Sequence, residues 1–215
     1  ARAEAAPRSV SILGSTGSVG CNTVDLLLRQ PGAFAVEALT ANRNVALLVE
    51  QALALRPRMV AIADHSCYRP LKDALVGSGI EVAAGPQAVI EAAIRPAEWV
   101  MASIVGAAGL EPTMAAVRRG AVIGLANKEC LVCAGELMIA EIKKCGATLV
   151  PVDSEHSAIF QVFDFDGAEK VEKIILTASG GPFRCTDAAK LAAVTPAQAV
   201  AHPNWDMGAK ISVDS

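Results

Sequence analysis

Between an apolar run at residues 8–13 and a helical pattern at 19–29 lie Gly14, Gly17 and Gly20, spaced G-x-x-G-x-x-G. No other feature restricts the fold of this chain as strongly. Glycine allows a tight turn and lets the backbone come close to an anion. A helix opening straight after such a turn presents unpaired N–H groups and a partial positive charge. Strand, turn and helix together make the phosphate-binding start of a dinucleotide fold. Thr16 and Ser18 add hydroxyl donors at the same place. A turn that needs glycine for packing alone is the weaker explanation.

The rest of the chain keeps the same rhythm. Apolar runs at 34–39, 59–63, 81–84, 99–105, 122–125 and 147–151 alternate with helical patterns at 45–55, 68–76, 86–94, 113–119 and 128–144. Hydrophobic residues make up 53% and aromatics only 4%, so the core is built from small aliphatic side chains. That composition suits a buried parallel sheet with helices on both faces. The expected class is α/β, with a Rossmann-like, doubly wound, mostly parallel sheet and right-handed crossovers. After Pro151 the rhythm changes to a strand at 171–178, a Gly-rich turn and a helix at 190–200. This reads as the start of an α+β catalytic domain, with the boundary placed between residues 1–152 and 153–215.

Several functions fall away on composition. A net charge of −3 with no basic stripe argues against a nucleic-acid partner. No apolar stretch is long enough to span a membrane, and residues 1–10 hold no apolar signal core. The six cysteines are scattered, and the Cys130/Cys133 pair has neither a second pair nor a His nearby. They read as two small residues on a helix, reduced in a cytosolic setting.

The cofactor type follows from the end of the second strand. NAD binders usually carry an acid there for the ribose 2′-hydroxyl. Here the residues are Asn42, Arg43 and Asn44, with no acid. A guanidinium matches the 2′-phosphate of NADPH, although a solvated loop cation is the plainer alternative.

Asp153, Ser154 and Glu155 follow the last strand. In an extended backbone, carboxylates at i and i+2 face the same way and suit a hard cation such as Mg²⁺ or Mn²⁺. His156 reads as a neighbour of the ligands rather than one of them. Alone, these residues serve equally well as a helix N-cap with a capping acid. Two further segments favour the metal. Asn127, Lys128 and Glu129 open a helix straight after a strand, and Ser179 sits in a Gly-rich turn suited to phosphate.

Taken in order, GSTGSVG, ANRN, ANKE, PVDSEH, ASGGPFR and HPNWDMGAKISVDS resemble the 1-deoxy-D-xylulose 5-phosphate reductoisomerase family, from about Val10 to Ser215. The resemblance implies isomerisation and NADPH-dependent reduction of that sugar phosphate to 2-C-methyl-D-erythritol 4-phosphate, a step of non-mevalonate isoprenoid synthesis. It implies that Thr16, Gly17, Ser18 and Val19, in the turn begun by Gly14, hold the pyrophosphate. Asn42, Arg43 and Asn44 would surround the 2′-phosphate, and Asn127, Glu129 and Gly208 would touch NADPH. Asp153 and Glu155 would bind Mn²⁺ or Mg²⁺. Lys128, Ser154, Glu155, Ser179, His202 and Ser215 would contact substrate, with Lys128 and His202 handling charge or protons. Trp205 and Met207 would form a lid. A homodimer in a bacterial cytoplasm, or a plastid stroma, is implied as well.

Two departures stand out. The family pattern continues past Ser215 with an Asn, a Lys and a Glu, the last a third metal carboxylate, and then a helical domain. The chain therefore reads as a fragment. Asn42 stands where the family commonly has Gly. The competing readings are another NADP-dependent dehydrogenase, which would not need paired metal carboxylates, and an NADPH-binding module without turnover.

Overall fold

The computed structural model describes residues 6–177 and 181–201, which fall into two compact units, Ala1–Asp153 and Ser154–Ser215.

The first unit is a seven-stranded sheet in the order β4-β3-β2-β1-β5-β6-β7. The strands are β1 (Arg8–Leu13), β2 (Phe34–Ala41), β3 (Met59–Ile62), β4 (Glu81–Ala84), β5 (Trp99–Ala102), β6 (Val122–Leu125) and β7 (Thr148–Pro151). Every neighbouring pair is parallel, so the expected sheet forms with no antiparallel member. The helices between them are α1 (Ser18–Leu28), α2 (Val45–Leu55), α3 (Tyr68–Ala74), α4 (Pro86–Ile94), α5 (Leu110–Arg118) and α6 (Glu129–Cys145).

Successive strand residues point to opposite faces of a sheet, and the two cores follow that alternation. Ile12, Leu39, Val60 and Ile62 pack with Val24 of α1, Leu48 of α2 and Leu71 of α3. Leu13, Met59, Ala61 and Ile123 pack with Ala92 of α4, Val117 of α5 and Met138 of α6. The continuous apolar run of β3, buried at all four positions, needs cover on both sides, which a doubly wound sheet provides. The chain runs outward from β1 to β4, then returns to β5 on the other side of β1. That reversal opens a crevice beyond the carboxyl ends of β1 and β5, where this architecture binds ligands.

Local chemistry sets the boundaries. Asn44 caps α2 by accepting the Leu47 N–H at 3.2 Å. Pro86 starts α4, where its missing N–H costs nothing. Three elements differ from the sequence reading. The run at 99–105 stops being strand at Ala102, because Gly106 adopts φ 74° and turns the chain into a 3-10 turn at Ala107–Gly109. The helix expected at 113–119 therefore begins at Leu110. The helix expected from 128 starts at Glu129 and bends at Ala134, whose φ −148° and ψ 33° are not helical.

The second unit holds α7 (Ser154–Val162), a 3-10 turn at Ala168–Lys170, α8 (Ala188–Leu191) and α9 (Pro196–Ala199). The single helix expected at 190–200 is thus two. Thr195 and Gln198 form a capping box with Pro196 in the first turn, and those start signals interrupt any longer helix. The strand expected at 171–178 is irregular over 171–177. Ile174, Ile175 and Leu176 are 57%, 73% and 63% exposed. A strand needs a partner for its N–H and C=O groups, and the described residues of this unit include no other strand.

Candidate functional site

The turn after β1 is fixed from three sides by buried polar groups. Thr40, at the end of β2, accepts the Gly14 N–H on its hydroxyl at 2.8 Å. The Thr40 carbonyl accepts the Ser15 N–H at 2.8 Å and the Ser15 hydroxyl at 3.2 Å. Ser103, just beyond β5, donates its hydroxyl to the Leu13 carbonyl at 2.7 Å. Gln51 of α2 donates to the Ser15 carbonyl at 2.9 Å. Ser15 therefore faces inward, leaving Thr16 and Ser18 as the hydroxyls on the outer side of the turn. Thr40, Gln51 and Ser103 escaped the sequence reading. Gln51 alone had a visible signal, as a polar residue in line with the buried Leu48 and Ala52 of α2.

The three glycines do different work. Gly14 has φ +85°, and a Cβ there would lie 2.9 Å from the Ser103 carbonyl oxygen. A Cβ on Gly20 would overlap the Gly14 carbonyl oxygen and lie 2.6 Å from the Ser15 Cα. Gly20 is thus what lets α1 press against the turn. Gly17 is the N-cap of α1 with φ −80°, and a Cβ there meets the Gly14 oxygen at an ordinary 3.5 Å. No side chain caps α1 and its first turn carries no acid, so its leading N–H groups remain open to an anion.

The turn, with Thr40 and Ser103, borders a cleft of about 530 Å³. Its walls include Thr16 and Gly17 of the turn, Asn42 after β2, Val89 of α4, Val105 of the loop after β5 and Pro112 of α5. The cleft thus lies over the reversal of strand order, and most of its wall is apolar, as expected for a nucleotide pocket.

Asn42, Arg43 and Asn44 are all exposed at the end of β2. The Arg43 Nε donates to Asp64 Oδ2 at 2.5 Å. Asp64 also accepts the Ser66 hydroxyl at 2.6 Å and the Ser66 N–H at 2.8 Å. Those two Ser66 bonds, then the Arg43 guanidinium, hold the Asp64 carboxyl at about 2. An acid does exist beside this strand end, supplied by the end of β3, and it faces the guanidinium.

Asn127 is buried after β6, and its amide donates to the carbonyls of Ile104 and, at 3.0 Å, Gly106. It stands behind the loop that lines the cleft rather than among the lining residues. Lys128 and Glu129 follow it at the start of α6. Cys130 is 1% exposed, and burial pushes its thiol up. Cys133 is exposed, and both are free, which agrees with the reading of two small helix residues.

Asp153 closes the first unit, and Ser154 and Glu155 open α7 in the second. The extended backbone assumed for the two acids does not form, because the helix starts at Ser154. The Ser154 hydroxyl donates to Glu155 Oε1 at 2.8 Å. Both acids are half-buried, and carboxylate oxygen suits a hard cation. Among the described residues no group of three or more His, Cys, Asp or Glu side chains gathers as a metal site. Ser179, His202, Trp205, Met207, Gly208 and Ser215 lie outside the described residues.

Comparison with known proteins agrees with this geometry. The family model described as 1-deoxy-D-xylulose 5-phosphate reductoisomerase matches residues 10–135. The model described as the C-terminal domain of that enzyme matches residues 149–215. The 1-deoxy-D-xylulose 5-phosphate reductoisomerase of Rhodospirillum centenum is 64% identical over 208 residues, covering 97% of this chain and 52% of its own. That of Zymomonas mobilis is 54% identical over 209 residues, covering 97% and 54%. The chain spans about half the length of the curated relatives it matches. The solved Zymomonas mobilis enzyme in complex with NADPH superposes with a TM-score of 0.88 at 52% identity, covering 91% of this chain and 52% of that one. A DOX-P reductoisomerase in complex with NADPH, fosmidomycin and magnesium gives 0.85 at 36% identity, covering 94% and 52%.

Proposed function

The chain belongs to the 1-deoxy-D-xylulose 5-phosphate reductoisomerase family, and from that premise we propose that it forms the cofactor half of an enzyme converting 1-deoxy-D-xylulose 5-phosphate to 2-C-methyl-D-erythritol 4-phosphate. Residues 1–152 serve as the NADPH-binding domain and residues 153–215 as the first part of the catalytic domain. The observation that carries this reading is the uncapped start of α1, held by Thr40, Ser103 and Gln51 at the edge of the cleft. A turn pinned in this way presents its N–H groups without reorganisation when an anion arrives.

In this reading the N–H groups of Ser18 and Val19, with the Thr16 and Ser18 hydroxyls, take the pyrophosphate. The Gly17 N–H closes the turn onto the Gly14 carbonyl at 3.1 Å, and the missing Gly17 side chain lets the anion come close. Arg43 uses its terminal amines for the 2′-phosphate while Asp64 holds its Nε, and Asn42 and Asn44 flank it. Asp153 and Glu155 hold the divalent cation, either Mn²⁺ or Mg²⁺. When bound, the cation supplies a Lewis acid for the substrate oxygens and NADPH supplies a hydride. Lys128, Ser154, Ser179, His202 and Ser215 orient the sugar phosphate, and Gly208 meets the cofactor. Lys128 and His202 place positive charge or a proton near the reacting oxygens. Holding the substrate phosphate, remote from the reacting carbons, favours a closed site that excludes water. The full-length protein is expected to act as a homodimer in a bacterial cytoplasm. No helix of the described residues is long and apolar enough to cross a membrane.

The test is NADPH oxidation by the full-length protein with 1-deoxy-D-xylulose 5-phosphate, with and without Mn²⁺ or Mg²⁺. Oxidation that needs both substrate and cation supports the reading. NADPH binding without turnover under every condition would leave a cofactor-binding module in its place.

A further inference from the structure

The loop between β5 and α5 makes one wall of the cleft, contributing Ser103, Ile104, Val105, Ala107 and Ala108. Its shape depends on Gly106, which adopts φ 74°, ψ −166°, a conformation essentially reserved for glycine. Such a loop needs an outside restraint, and the structure supplies one from the next strand. Asn127 is 3% exposed and donates one amide proton to Ile104 and the other to Gly106, at 3.0 Å. Two carbonyls face the amide, so only its NH₂ side can be turned toward them. Gly109 completes the fit, because a Cβ there would overlap the Asn127 Nδ2 and lie 2.7 Å from the Ile104 carbonyl oxygen. Thr113 fixes the far end of the loop by donating to the Gly109 carbonyl at 2.6 Å.

We infer that Asn127 is a positioning residue, whose amide clamps the Ile104–Gly106 wall of the cleft and so shapes the half of the site that receives the nicotinamide end. This rests on the reading of the cleft as an NADPH site. The strand order assigns the halves. The end of β2 carries Arg43 on the adenosine side, and the loop after β5 lies across β1 from it. A dinucleotide crosses at the reversal, so the clamped wall meets its other end. Asn127 also immediately precedes Lys128 and Glu129. The same two hydrogen bonds therefore tie the start of α6 to the cleft wall.

The experiment uses the full-length protein and two probes, NADPH and adenosine 2′,5′-bisphosphate, which is the adenosine half alone. Asn127→Asp keeps the side-chain shape but sets a carboxylate against two carbonyl oxygens. Gly109→Ala attacks the same contact from the loop side, at a backbone conformation (φ −82°) that alanine adopts freely. Each change is expected to weaken NADPH about tenfold or more, the scale of lost buried hydrogen bonds, while adenosine 2′,5′-bisphosphate binds within about twofold of the parent. The double variant Asn127→Asp/Gly109→Ala is expected to lose little beyond either single change, because both break one contact. Should Asn127→Asp fail to fold, Gly109→Ala carries the test alone. Unchanged NADPH affinity, equal loss of both probes, or additive losses in the double variant would each overturn the clamp. A parent protein that binds neither probe would instead overturn the NADPH reading itself.

Discussion

The three glycines of the turn look equivalent in sequence, and replacing each with alanine should separate them. In Gly20→Ala the new Cβ meets only backbone: the Gly14 carbonyl, which it overlaps, and the Ser15 Cα at 2.6 Å. Ordinary contact begins at 3.4 Å, so relieving the overlap with the Gly14 oxygen requires α1 to retreat by more than about 1 Å, and no flexible side chain can yield instead. Overpacking of this kind costs about 1–3 kcal/mol, occasionally more. The retreat also moves the N–H groups of α1 off the anion position, so part of that cost appears in binding. A loss of 1.4 kcal/mol is tenfold in affinity, and the expected weakening of NADPH is about 5- to 100-fold. Gly17→Ala introduces a methyl 3.5 Å from its nearest neighbour at an unstrained φ of −80°, and should cost under about 1 kcal/mol, the usual scale for an N-cap change. The assay is the urea midpoint and the NADPH dissociation constant of the full-length protein and both variants. Gly17→Ala destabilising as much as Gly20→Ala would refute the reasoning, as would Gly20→Ala with stability and affinity both unchanged.

Arg43→Ala is expected to weaken NADPH about tenfold with little effect on NADH, the low end for a charged hydrogen bond because the guanidinium is 76% exposed. Equal losses for both cofactors in fluorescence titrations would remove Arg43 from the 2′-phosphate. Asp153→Asn and Glu155→Gln should each abolish turnover and leave NADPH binding nearly intact, and retained activity in both would reject the cation assignment. Asp64, held at about 2 against a usual 3.8, should stay ionised in carboxyl-carbon NMR titrations down to pH values where free aspartate is protonated. Because its folded value is depressed, its contribution to stability is present above about pH 4 and fades as pH falls toward 2. Ser66→Ala, which removes the hydroxyl bond and keeps the Ser66 N–H, should raise the Asp64 midpoint, and an unchanged midpoint would contradict the part that hydroxyl plays.

Much of the fold was legible in the sequence because its signals are local. Apolar runs such as Met59–Ile62, a helix start such as Pro86, and the glycine spacing at 14, 17 and 20 each act within a few residues of chain. They were enough to establish a parallel doubly wound sheet and the place of its anion-binding turn. The alternation of neighbours in β1 and β3 between the two cores likewise follows from strand geometry alone.

What the sequence left undecided depends on residues far apart in the chain. Thr40 lies 26 residues from the Gly14 amide it accepts, Gln51 lies 36 from Ser15, and Asn127 lies 23 from Ile104. No periodicity encodes such pairs, since each exists only once β1, β2, β5 and β6 are side by side. For the same reason the chain order alone could not tell that Arg43 meets Asp64, or that only two of the three glycines are pressed on by backbone. Local patterning determined where the site is. Tertiary packing decided which side chains hold it in shape, because a buried hydrogen bond needs two partners that only the folded sheet brings together.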